Sequence, residues 1–130
     1  MADDLVLPHL REALRKDGWS LRPRAMRVES DDYIYLIDVE AEKEGRKICV
    51  EVKSWLNTFN QDWYTAFGQY LSYQEAITEE RLPYTLYLVV PQDTYVEHFT
   101  NWHIQKLVAK NSVRLIIFDI KTSTILLWQS

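Results

Sequence analysis

The chain has 130 residues, 47% of them hydrophobic and 26% charged, with a net charge of −4. That is enough for one hydrophobic core and too little for two, and no apolar run reaches the ~20 residues that span a bilayer. The acidic balance argues against a protein that coats nucleic acid by charge alone, and the 3 Gly and 4 Pro leave little material for linkers, so residues 1–130 read as a single domain.

The opening Met-Ala-Asp-Asp has no apolar stretch, so no signal peptide is expected. The single cysteine, Cys49, can form no internal disulfide, which fits a reducing cytoplasm. Residues 4–17 carry Leu5, Val6, Leu10, Ala13 and Leu14 at helical spacing, and Gly18 stops the helix. Arg11, Arg15, Lys16, Arg22, Arg24 and Arg27 concentrate basic charge here, which a solvated helix face followed by a loop would explain. Residues 19–30 read as a short strand and a loop. Residues 33–43 and 46–54 read as strands joined at Glu44-Gly45, a hairpin turn. Trp63, Phe67, Tyr70, Leu71 and Ala76 predict a helix over 60–80, closed by Pro83. The apolar run 84–90 predicts a buried strand ending at Pro91, and residues 93–110 predict one or two short helices. A second hairpin spans 113–119 and 124–129 around Lys121-Thr122-Ser123. Helix, hairpin, helix, strand, helix and hairpin make an α/β protein, with helices packed on a sheet. The 5 Trp and 8 Tyr suit a core plus an adhesive surface.

The first hairpin can be read as geometry. With Glu44-Gly45 as a two-residue turn, Val39 faces Val50, Ala41 faces Ile48 and Ile37 faces Val52, a wholly apolar face. Alternation fixes the other face: Asp38 opposes Glu51, Glu40 opposes Cys49 and Glu42 opposes Lys47, while Lys53 opposes Leu36 beside Glu51. Opposed carboxylates repel unless a positive charge lies between them. A hard divalent ion such as Mg²⁺ takes carboxylate oxygens, and Lys53 adds a second positive charge. Such a set could polarise a phosphodiester and activate a water. Alternating charge on a solvated strand would explain Glu51-Val52-Lys53 as well.

The stretch Ala41-Glu-Lys-Glu-Gly-Arg-Lys-Ile-Cys-Val-Glu51-Val-Lys53-Ser-Trp55 resembles the XisH family, the fdxN element excision controlling factors of filamentous cyanobacteria. The resemblance runs on through Ala66-Phe-Gly-Gln69-Tyr-Leu-Ser-Tyr73, Leu86-Tyr-Leu-Val-Val-Pro91 with Asp93-Thr-Tyr95, and Leu115-Ile-Ile-Phe-Asp119; Lys16-Asp17-Gly18-Trp19 matches too. It implies the PD-(D/E)xK nuclease superfamily and a restriction-endonuclease-like fold, a central mixed β-sheet flanked by helices. It implies metal binding by Asp38, Glu51 and the Val52 carbonyl, with Mg²⁺ or Mn²⁺ as the ion, and assigns the water to Lys53. Gln69 and Tyr73 match a Gln-x-x-x-Tyr motif on the following helix; Gln69 would steady Lys53 or a phosphate, and Tyr73 would pack on the strand. Glu12 is the candidate for a first-helix Glu. The family usually carries an Asp-Leu-Gly-Ala-Glu-like run where this chain has Tyr35-Leu-Ile-Asp38-Val-Glu40, so either Asp38 or Glu40 is the first acid.

The resemblance implies DNA as partner, with a recombinase and a XisI-type companion protein, in DNA rearrangement during heterocyst differentiation. A homodimer would suit cutting of two strands, and no membrane is involved. Two roles follow: a metal-dependent endonuclease, or an inactive nuclease-fold accessory acting through protein contacts. His9, His98 and His103 have no metal-site spacing, and the glycines are too few for a nucleotide-binding loop.

Overall fold

A computed structural model describes residues 5–130. The N-terminal Met-Ala-Asp-Asp lies outside the described residues, and so does the expected first residue of the opening helix. Helix α1 spans Leu7–Lys16, with Pro8 in its first turn, where a missing N–H is harmless. Its stripe of Leu10, Ala13 and Leu14 is buried. Two short strands follow, β1 (Ser20–Leu21) and β2 (Met26–Ser30), then β3 (Tyr33–Ile37), β4 (Val39–Lys43) and β5 (Arg46–Glu51). Helix α2 (Phe59–Glu79) leads to β6 (Thr85–Pro91). A short helix α3 (Gln92–Thr94) runs into a wide π turn at Tyr95–Phe99, and α4 spans Trp102–Lys110. Asn101 separates the two, accepting the His103 N–H at 2.9 Å as a helix cap. Strands β7 (Leu115–Asp119) and β8 (Thr124–Gln129) close the chain.

Six strands form one sheet in the order β1-β4-β5-β6-β7-β8. The pairs β5–β6 and β6–β7 are parallel, and the others antiparallel. Parallel neighbours need a crossover, and α2 and the α3–α4 segment supply the two. Side chains of α1 pack on one sheet face with Val39, Ala41, Ile48, Val50 and Val89. On the other face α2 and α4 pack with Cys49, Leu86, Leu88 and Ile117. Helices on both faces of a mixed sheet make the architecture restriction-endonuclease-like, as expected.

The first hairpin turns at Glu44 (φ 51) and Gly45 (φ 80), both left-handed, as a twist-matched two-residue turn requires. Its register is the expected one: Val39 pairs with Val50, Glu40 with Cys49, Ala41 with Ile48 and Glu42 with Lys47. The extent differs. Residues 33–43 are not one strand; they break at Asp38. Tyr33–Ile37 pairs with β2 in a separate two-stranded ribbon, where Ile37 pairs with Met26 and Leu36 with Arg27. Ile37 therefore does not face Val52, and Lys53 does not oppose Leu36. Strand β5 likewise ends at Glu51 rather than at residue 54. The cause is competition for backbone partners: Met26–Ser30 offers β3 a full ladder, so β3 leaves the sheet. Part of residues 19–30 thus belongs to that ribbon rather than to a loop.

Candidate functional site

The site forms where β3 departs and β5 ends. The last β4–β5 pair is Val39–Val50, and one residue further Asp38 and Glu51 face each other. The Asp38 carboxylate takes over from the ladder: its Oδ2 accepts the Val52 N–H at 2.8 Å. This bond turns Asp38 inward instead of letting it extend into solvent. Glu51 is 4% exposed. Burial, then the charge of Asp38 and a hydrogen bond with the Asp38 side chain, push the Glu51 carboxyl up to about 9, while Lys53 pulls the other way. The two acid tips therefore touch, and the amine acts on the same carboxyl. Alternating charge on a solvated strand does not describe this face.

Glu51 Oε1 is buried and has no hydrogen-bond partner. A buried carboxylate oxygen without a partner is costly unless a cation meets it. Asp38 Oδ and Glu51 Oε are hard oxygen donors of the kind Mg²⁺ and Mn²⁺ take. The residues present thus fit a divalent ion, with water completing its shell. Among the described residues no group of three or more His, Cys, Asp or Glu side chains converges, so an ion here would rest on two carboxylates and main-chain oxygen.

Glu40, the alternative first acid, is occupied elsewhere: the Tyr84 hydroxyl donates to its Oε2. Burial and this bond push the Tyr84 hydroxyl up to about 12. Asp38 is thus the acid the fold brings to Glu51. Glu12 stays exposed, 3.7 Å from Arg15, and is not among the charges acting on Glu51.

Tyr73 reaches the site. It is 8% exposed, and burial followed by the charges of Glu51 and Asp38 raises its hydroxyl. Its ring meets Tyr35 edge-on at 5.5 Å, and Tyr35 stacks on Tyr33 at 6.3 Å. Gln69, one turn earlier, is half-buried, and its Oε1 has no partner. Among the described residues it makes no hydrogen bond to Lys53.

The loop after Val52 carries Lys53 and is itself anchored by tertiary contacts. Trp55 adopts a left-handed backbone (φ 59), which is strained for a bulky side chain. Its indole N–H donates to the Val89 carbonyl at 3.2 Å, and its ring stacks on Phe59. Buried Asp62 accepts the Asn57 main-chain N–H at 2.9 Å and its side-chain amide at 3.0 Å. Sequence reading missed Tyr35, Tyr84, Trp55 and Asp62. Each contributes through tertiary contacts, and no local spacing announces them.

A six-stranded mixed sheet flanked by helices places the chain in the restriction-endonuclease-like class by fold. The XisH protein family matches residues 1–126, and the chain belongs to that family. It is similar to a crystal structure of an XisH family protein from Nostoc punctiforme PCC 73102, with a TM-score of 0.93 and 31% identity over 98% of this chain and 100% of that one. It is also similar to an fdxN element excision controlling factor protein from Anabaena variabilis, with a TM-score of 0.92 and 29% identity over 98% of this chain and 99% of that one. Among curated proteins nothing matches. No helix among the described residues is long and apolar enough to cross a membrane.

Proposed function

We propose that this chain controls excision of a DNA element through a PD-(D/E)xK nuclease-like site that acts on phosphodiesters. One observation carries the reading: Asp38 and Glu51 meet in a buried contact, with a Glu51 oxygen left unpartnered and Lys53 acting on the same carboxyl. Asp38, Glu51 and the Val52 carbonyl would hold Mg²⁺ or Mn²⁺. When bound, the ion polarises a phosphoryl oxygen and acidifies a coordinated water. The chain's own groups do the rest. Lys53 offsets charge that grows on the phosphorus and orients the attacking water. Tyr73 closes the α2 side, and Gln69 Oε1 is free to accept from Lys53 or water when substrate settles.

A second reading has its own support. The ribbon strand β3 exposes Tyr33 (64%), Ile34 (57%) and Leu36 (59%), apolar area suited to a protein partner such as a recombinase, a XisI-type companion or a second copy. On that reading the fold acts as an accessory, and its acid pair is a remnant.

A supercoiled-plasmid nicking assay with Mg²⁺ or Mn²⁺ separates them. The wild type should nick, and Lys53→Ala should lose about 100-fold or more. A wild type that never nicks, or a variant that nicks equally well, would overturn the nuclease reading.

A further inference from the structure

The basic cluster at residues 11–27 plays no part in the site described so far, and the fold sorts it. Lys16 is committed to the β7–β8 turn, where its amine donates to the Thr122 carbonyl at 2.6 Å. Arg27 pairs with Glu29 on the ribbon. The other four, Arg11, Arg15, Arg22 and Arg24, gather where α1 meets the edge strand β1. The Arg11 guanidinium donates to the Arg22 carbonyl at 3.1 Å, tying the helix to the chain that leaves β1. Arg15, one turn along, is close enough that its charge joins burial in lowering the Arg11 pKa.

This edge adjoins the site. Strand β1 pairs with β4, Ser20 with Glu42 and Leu21 with Ala41. The pairing continues through the Arg22 N–H, which donates to the Glu40 carbonyl at 2.9 Å. Arg24 lies between Arg22, whose N–H meets Glu40, and Met26, which pairs with Ile37, so its stretch of chain runs past Asp38. Arg22 and Arg24 are both exposed, and among the described residues neither has an ion pair. The pair Arg15–Glu12 is wet, each side chain more than half exposed, and such pairs contribute little.

Glu12 pairs with Arg15, and Glu42 and Glu44 share a surface recess with Arg22, so the edge is not a block of one sign. Exposed guanidiniums that keep no ion pair can still meet a polyanion. Guanidinium forks match phosphate oxygens in pairs. In a chain of net charge −4, attraction to DNA has to be local. We propose that Arg11, Arg15, Arg22 and Arg24 form the phosphate-contacting edge that lays a DNA backbone against Asp38, Glu51 and Lys53. This rests on the reading of DNA as substrate. Contacts of this kind set position and carry no base preference.

The test is fluorescence anisotropy of a labelled DNA duplex with the full chain, in EDTA, from about 50 to 200 mM salt. The wild type should bind, more weakly as salt rises. Arg22→Gln with Arg24→Gln should bind at least about tenfold more weakly, with a salt slope shallower by about 2. Lys106→Gln with Lys110→Gln makes the same charge change on α4 and should bind like the wild type. Thermal melts of both double variants show whether the fold is kept, and Arg22→Lys with Arg24→Lys should retain most binding. A wild type that does not bind, or two Gln double variants that behave alike, would overturn the proposal. Without divalent ions the assay reads binding alone. Nicking by the wild type with Mg²⁺ is scored separately, so a failure of cleavage and a failure of this edge are told apart.

Discussion

On one face of the β4–β5 ladder, Val39, Ala41, Ile48 and Val50 meet the α1 layer, each at most 2% exposed. On the other, Cys49 and Glu51 lie under the α2 layer, flanked by half-buried Asp38 and Glu40. One register produces both, yet they solve different problems. The apolar face needs only close packing. The polar face is buried as well at its Cys49 and Glu51 end, so heteroatoms there need partners. Glu40 has Tyr84, and Asp38 has the Val52 N–H. The Cys49 thiol is pushed up to about 12, chiefly by burial, and stays neutral. Glu51 Oε1 is the exception on this ladder. The contrast teaches that the fold keeps a group there that does not serve packing.

The comparison can be broken first where packing dominates. Ile48→Ala should lower stability by about 3 kcal/mol in urea unfolding, because the lost methylenes leave a cavity in a tightly packed layer. A loss below about 1 kcal/mol would show that this face packs loosely.

Changing the polar face should have a smaller effect of opposite sign. Glu51 holds its proton up to about 9 when folded, against an ordinary value of 4.5. Between those values the folded chain keeps a proton that the unfolded chain has lost. The stabilising effect is complete below about pH 4.5 and is lost as pH rises toward about 9. Glu51→Gln should remove that slope and gain stability near pH 8, measured by urea unfolding at pH 5 and pH 8 in EDTA. A variant with the wild-type slope, or one less stable at pH 8, would remove the asymmetry between the two faces.

Much of this was legible in the sequence. The helix expected over 60–80 is α2 at Phe59–Glu79, because its apolar spacing is helical throughout. The hairpin register followed from Glu44-Gly45 alone, and with it the meeting of Asp38 and Glu51. The break at Asp38 was not legible. Residues 33–37 are five aromatic or apolar positions in a row, and polar alternation begins only after Ile37, but neither pattern says which strand a segment pairs with. A two-residue edge strand such as β1 is too short to show a period, so residues 19–30 stayed ambiguous. That Glu40 is engaged by Tyr84, a residue 44 positions away, was not legible either. The position of Lys53 was read from a register that does not form. Lys53 acts on Glu51 from the loop after β5, not from a ladder opposite Leu36.

The most direct measurement is Mn²⁺ binding followed by electron paramagnetic resonance, in the wild type and in Asp38→Asn with Glu51→Gln. The account predicts one ion per chain in the wild type and none in the double variant. Equal binding by both proteins would contradict it.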